Sequence, residues 1–225
     1  MTTAPRPPRT SAPSAFPSVS ETPTATGEVE RVHAEKMGRI KAARERMMAG
    51  KTAEKGLLVV HTGKGKGKSS SAFGMVMRCL GHGMKVGIVQ YVKGAWDTGE
   101  ARLLKKFPDL CEIQTLGEGF TWETQDKARD IAAAERAWTE SKRMLADESL
   151  QMVVLDELNI ALRNGYFPLE PVLETIAARP PMQHCVVTGR NAPQGLIDAA
   201  DLVTEMTMVK HPFRDGIKAQ AGVEF

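Results

Sequence analysis

The run Thr62-Gly63-Lys64-Gly65-Lys66-Gly67-Lys68-Ser69-Ser70 constrains this chain more than any other stretch. It follows the apolar segment Leu57-Leu58-Val59-Val60-His61. It precedes Ala72-Phe73-Gly74-Met75-Val76-Met77-Arg78-Cys79-Leu80, which reads as a helix. Strand, glycine-rich loop and helix in that order is the setting of a P-loop. Glycines let successive backbone N–H groups curl around one anion, and the helix N-terminus adds the positive end of its dipole. In that reading Gly63, Lys64, Gly65, Lys66, Gly67, Lys68, Ser69 and Ser70 cradle phosphate. Lys68 reaches the phosphates and the Ser69 hydroxyl ligates a divalent ion. The pattern G-x-x-x-x-G-K-[ST] asks for glycine where Thr62 stands, and the loop carries three lysines. The plainer alternative is a basic, flexible surface turn, which the flanking strand and helix disfavour.

The rest of the chain is consistent with one α/β domain behind a tail. Residues 1–26 are rich in Pro, Ser, Thr and Ala and read as disordered. Over residues 27–50, Val32, Met37, Ile40, Ala43 and Met47 recur near the helical period and form one narrow apolar stripe. That helix is expected to serve as an arm or lid, or simply as an outer helix. Residues 51–225 then alternate strand and helix: strands over 85–91, 111–116, 151–155, 183–188 and 202–209, helices over 99–107, 124–146, 170–178 and 196–200. Thr124 is the expected cap of the longest helix, with Asp126 in its first turn. This pattern predicts a mostly parallel sheet with helices on both faces. Ligands of such sheets sit beyond the carboxyl ends of the strands, so the loops there are the ones to read.

Those loops carry chemistry. Gln90 to Glu100 mixes Lys93, Trp96 and acids. Gly117-Glu118-Gly119-Phe120-Thr121-Trp122-Glu123 sets two aromatics beside two glycines, either a platform for a flat ligand or a plug at the core edge. Asp156 ends an apolar strand, where a carboxylate holds Mg²⁺ directly or through water, and helix capping is its plainer role. Glu157 is a second metal ligand or a general base. Arg190 can reach phosphate from a strand end, or else makes a surface ion pair. Lys210 to Phe213 and Gly216 to Gln220 read as a closing segment.

Composition excludes other classes. Net charge is +3, which fits an anionic small ligand better than a nucleic-acid groove. Cys79, Cys111 and Cys185 form no C-x-x-C pair and read as free thiols in a reducing compartment. The five histidines show no zinc spacing. No apolar run approaches the roughly 18 residues of a membrane span. No apolar signal core is present near Met1, so a cytoplasmic location is expected.

Several segments together resemble the P-loop-type corrinoid adenosyltransferases: "HTGKGKGKSSSAFG", "RCLGHGMKVGIVQYVKG", "GEGFTWETQD", "VVLDELNIALRNGY", "VVTGRNAPQGLIDAADLVTEM" and "GIKAQAGVEF". The resemblance runs from about Val29 to Phe225. The family commonly has asparagine where this chain has Lys64 and often threonine where it has Ser69; neither change removes a phosphate donor or a metal-binding hydroxyl. The resemblance implies a RecA-like sheet, ATP and a Co(I) corrinoid as substrates, and triphosphate as the leaving group. It implies Mg²⁺ or Mn²⁺ on Ser69 with Asp156 or Glu157. Lys68 and Arg190 are the candidate catalytic cations from the loop and strand-end reading, and the resemblance assigns Phe120 and Trp122 to displacing the corrinoid's lower axial ligand. It also implies a homodimer whose N-terminal helix closes over the partner's site, and a flavin-dependent electron donor. The residues alone leave two other readings open: an ordinary ATPase or phosphotransferase with Glu157 as base, and a non-catalytic corrinoid-binding module.

Overall fold

A computed structural model describes residues 25–92, 98–117 and 126–224. The chain divides into two compact units, Met1–Ala53 and Glu54–Phe225. The first contains helix α1 (Ala25–Ala49). Every side chain described in α1 is exposed, including those of Val32, Met37, Ile40 and Met47 on its apolar stripe.

The second unit is built on six strands: β1 (Leu58–Thr62), β2 (Val86–Gln90), β3 (Cys111–Thr115), β4 (Met152–Asp156), β5 (His184–Thr188) and β6 (Leu202–Glu205). They form one sheet in the order β3-β2-β4-β5-β1-β6, and every pairing is parallel. Helices α2 (Lys68–Gly81) and α3 (Gly99–Leu104) cover one face. Helices α4 (Lys127–Leu145), α5 (Leu158–Arg163), α6 (Leu169–Ala177) and α7 (Gln194–Ala199) cover the other. The expected α/β architecture is therefore present.

Strand alternation sorts the core. Val59, Ile88, Val154 and Val186 pack against Ala72, Phe73, Val76 and Cys79 of α2. Val60, Val89, Val153, Leu155 and Val187 face Ala134, Ala137, Leu158, Val172 and Ile176. Strands β1, β2 and β4 are buried along their whole length. Near-continuous apolar strands follow from cover on both faces. Each fully buried Val or Leu contributes about 1.5–3 kcal/mol.

The structure changes four expectations. The cap of α4 is Asp126, whose carboxylate accepts from Ala128 and Arg129 N–H at 3.1 Å each; Thr124 lies outside the described residues. Helix α5 directly follows the acidic pair, at six residues too short for periodicity to reveal. Helix α3 ends at Leu104, and Lys106 and Phe107 continue it only through bonds to the third residue back. Strand β6 stops at Glu205 rather than 209, because its partner β1 ends at Thr62 and curls into the glycine loop.

Candidate active site

The sheet's register lines up a polar row. One row of paired residues, Ile113, Ile88, Val154, Val186, Val59 and Leu202, is apolar. Two residues nearer the carboxyl ends, on the same α2 face, come Thr115, Gln90, Asp156, Thr188, His61 and Thr204. Thr115 Oγ1 donates to Gln90 Oε1 at 2.9 Å, and Gln90 Nε2 donates to Asp156 Oδ2 at 3.1 Å. Thr188 Oγ1 donates to Asp156 Oδ1 at 2.8 Å and accepts from Glu157 N–H at 2.9 Å. Gln90, Asp156 and Thr188 are fully buried or nearly so. A buried carboxylate is tolerable when its oxygens are hydrogen-bonded in this way.

Next in the row, His61 Nδ1 donates to the carbonyl of Lys68 at 3.2 Å, tying β1 to the first residue of α2. Between them runs the loop. Gly63 has φ 98, a left-handed conformation natural only to glycine. Gly65 N–H donates to the Met206 carbonyl at 2.7 Å, so the segment after β6 clasps the loop. Lys68 is buried, and its Nζ donates to the Gly65 carbonyl at 2.6 Å. Lys66 pairs with Glu224. Lys64 and Ser70 are exposed and Ser69 is half-buried.

Electrostatics link the loop to the acids. Burial lowers the Lys68 amine below the ordinary lysine value; the Glu157 carboxylate opposes that shift, and Arg190 and Lys66 add to it. Lys66 is lowered by burial and by Arg190. Lys66, Lys68, Glu157 and Arg190 therefore share one electrostatic neighbourhood. Topology explains why: β5 lies between β1 and β4, so the loop after β5 fills the gap between the glycine loop and the acidic pair.

At that junction Glu157 adopts φ 65, and Gly189 has φ 127. Asn159, fully buried, donates from Nδ2 to the Gly189 carbonyl at 3.0 Å. Arg190, one residue on, is exposed.

Phe120 and Trp122 lie outside the described residues, as do Lys93 and Trp96. The expected closing segment supplies a short helical turn, Pro212–Asp215, and beyond it Glu224. Sequence reading missed Gln90, Asn159 and Thr188. The available signal was a polar residue terminating each apolar strand, and an asparagine on the apolar side of a short helix.

A cleft of about 260 Å³ starts at Ser70 and runs between α2 and α3 past Phe73, Met77, Glu100 and Leu103. It falls short of the roughly 300–1,000 Å³ of sites that engulf a whole drug-sized ligand. Among the described residues no group of three or more His, Cys, Asp or Glu is placed to hold a metal. The hard oxygens of Ser69, Asp156 and Glu157 instead suit an ion whose remaining ligands are phosphate oxygens and water.

A family model for ATP:corrinoid adenosyltransferase BtuR/CobO/CobP matches residues 54–225. The chain is 59% identical over 198 residues to a corrinoid adenosyltransferase of Pseudomonas aeruginosa, covering 88% of this chain and 98% of that protein. It is 58% identical over 195 residues to one from Sinorhizobium sp, covering 86% and 91% of the two chains. To the Escherichia coli K12 corrinoid adenosyltransferase it is 44% identical over 187 residues, covering 83% and 94%.

Proposed function

The chain belongs to the ATP:corrinoid adenosyltransferase family, and from that premise we propose how its own residues carry out the transfer. The enzyme moves the 5′-deoxyadenosyl group of ATP to the cobalt of a corrinoid. The Co(I) electron pair attacks the 5′ carbon and the carbon–oxygen bond breaks. The displaced pair leaves on triphosphate, so cobalt ends formally as Co(III). No proton moves, so no protein base is needed. What the protein supplies is in-line positioning and stabilisation of the charge gathering on the leaving group.

In this reading residues 63–70 hold the triphosphate, with Lys64, Lys66, Lys68 and Arg190 balancing its charge. Ser69, with Asp156 and Glu157, would hold Mg²⁺ or Mn²⁺, which when bound neutralises phosphate charge. Asp156, oriented by the hydrogen bonds its two oxygens accept from Thr188 and Gln90, would contribute to holding that ion directly or through water. Phe120 and Trp122 displace the corrinoid's lower ligand, which makes Co(II) easier to reduce. The exposed apolar stripe of α1 suits an arm that covers the site of a second copy in a homodimer. A flavin-dependent donor supplies the electron, and the reaction is cytoplasmic. No helix among the described residues is long and apolar enough to cross a membrane.

The observation that carries this reading is the family match over residues 54–225, which takes in the whole site. The test is to incubate the protein with Mg-ATP and reduced corrinoid and identify the phosphorus product. Triphosphate together with a cobalt–carbon absorbance change is expected. ADP and phosphate released without any corrinoid would instead favour an ordinary ATPase, the reading in which Glu157 serves as base.

Two further results follow. Trp122→Ala should slow adenosylation from Co(II) under a weak reductant more than adenosylation from preformed Co(I); equal loss in both assays would remove the axial-ligand role. Burial lowers Lys68 below 10.5, so ATP affinity should decline at a pH below the ordinary lysine range, as the amine loses its charge. Titrating ATP binding against pH checks this. Lys68→Arg should push that limb to higher pH, because a guanidinium stays charged.

A further inference from the structure

We propose that Asn159 is a positioning residue for Arg190, and through it for the triphosphate leaving group. The inference rests on the reading above that Arg190 contacts triphosphate.

Asparagine has no evident reason to occupy this place for the fold alone. It stands in the first turn of α5, with its side chain fully buried. Asparagine is a mediocre helix former, and an apolar residue there would join the neighbouring core of Leu158, Ala161 and Leu162. The amide is also only half satisfied. Nδ2 donates to the Gly189 carbonyl at 3.0 Å, while buried Oδ1 has no hydrogen-bond partner among the described residues. A buried polar atom left unpaired calls for an explanation other than stability. The carbonyl fixes which way the amide points, since the flipped rotamer would set two oxygens against each other.

The bond acts on the right peptide. The Gly189 carbonyl belongs to the peptide that joins Gly189 to Arg190, so holding it sets the plane from which Arg190 departs. Only glycine lets this peptide approach Asn159 so closely. A Cβ at that position would lie 2.8 Å from Asn159 Cβ and 3.1 Å from Glu157 Oε2. Thr188, one residue earlier, is pinned by its own bonds to Asp156 and to Glu157 N–H. The loop after β5 is thus fastened on the sheet side by Thr188 and on the helix side by Asn159. Arg190 is the first residue beyond both. A guanidinium fork must be aimed before it can grip phosphate at two points. Asn159 therefore links the acidic corner after β4 to the cation after β5, and the charge of Arg190 is felt at both Lys66 and Lys68.

The test is a double-mutant cycle on the full-length protein, read as kcat and KM for ATP, with thermal melts on every variant. Arg190→Ala should lower kcat/KM by about 100-fold, the scale of removing one charge-stabilising donor. Asn159→Ala should lower it by roughly 10-fold, the cost of a misaimed group. If Asn159 acts through Arg190, adding Asn159→Ala to Arg190→Ala should cost less than about 2-fold more. A purely structural role predicts the same 10-fold loss in both backgrounds, and that outcome overturns the proposal. So does a wild-type kcat/KM in Asn159→Ala. Normal ATP kinetics in Arg190→Ala would instead remove the reading of Arg190 on triphosphate, and the proposal with it. Should Asn159→Ala not melt cooperatively, Asn159→Ser takes its place in the cycle. Failure of both to fold makes Asn159 a determinant of the fold and overturns the positioning role.

Discussion

Replacing Lys68 by alanine should lower kcat/KM for ATP by at least about 100-fold if the loop holds the triphosphate as proposed, because its ammonium is a buried cation within that loop. The folded protein should tolerate the change. Burial already disfavours the charged amine, so its removal relieves a cost while giving up the bond to the Gly65 carbonyl. Steady-state kinetics and a thermal melt on the same preparation separate the two effects. Activity near wild type would show that the triphosphate is held elsewhere. A large fall in melting temperature would show that Lys68 acts mainly through the fold.

Gly63→Ala should have the opposite profile, a structural failure that takes ATP binding with it. A Cβ there would lie 2.4 Å from the Met206 carbonyl oxygen and 2.8 Å from its nitrogen, both backbone atoms. The φ of 98 adds conformational strain. Strain and overpacking each cost about 1–3 kcal/mol, so the sum is of order 2–6 kcal/mol. For a chain of this size that corresponds to a melting-temperature loss of roughly 5–20 °C. Gly74→Ala is the control. It sits in α2 with nothing within 4 Å of a built Cβ, and should be neutral or slightly stabilising. Equal melts for the two variants would remove the steric account of the loop.

Much of the architecture could be read before any coordinates. The glycine loop fixed strand and helix on either side of it, and the buried strands betrayed themselves as unbroken apolar runs. Asp156 was legible because a carboxylate ending such a run is costly without a purpose. Hydrophobic periodicity could not reveal α5, which has fewer than two turns and follows its strand with only Glu157 between. Nor could it place the end of β6, which depends on where a distant partner stops. The supporting residues were harder still. Gln90 and Thr188 are ordinary in sequence, and their meaning lies in a register that aligns both with Asp156 across three strands. For Asn159 the one signal, an asparagine on the apolar side of a short helix, did not name its partner, because Gly189 lies 30 positions away.

The strand order has a consequence for how the protein is made. Strand β1, which launches the glycine loop, lies in the sheet between β5 and β6. Leu58 pairs with Cys185, and Val59 with Leu202. During synthesis β1 is translated long before either neighbour. Strands β2, β3 and β4 can pair among themselves earlier, since they adjoin in the sheet and come first in the chain after β1. Closing so long a loop is entropically unfavourable and slows folding. The glycine loop is therefore among the last parts of the molecule to gain its framework. On the ribosome, the loop stays without its framework until residues of β6 have emerged.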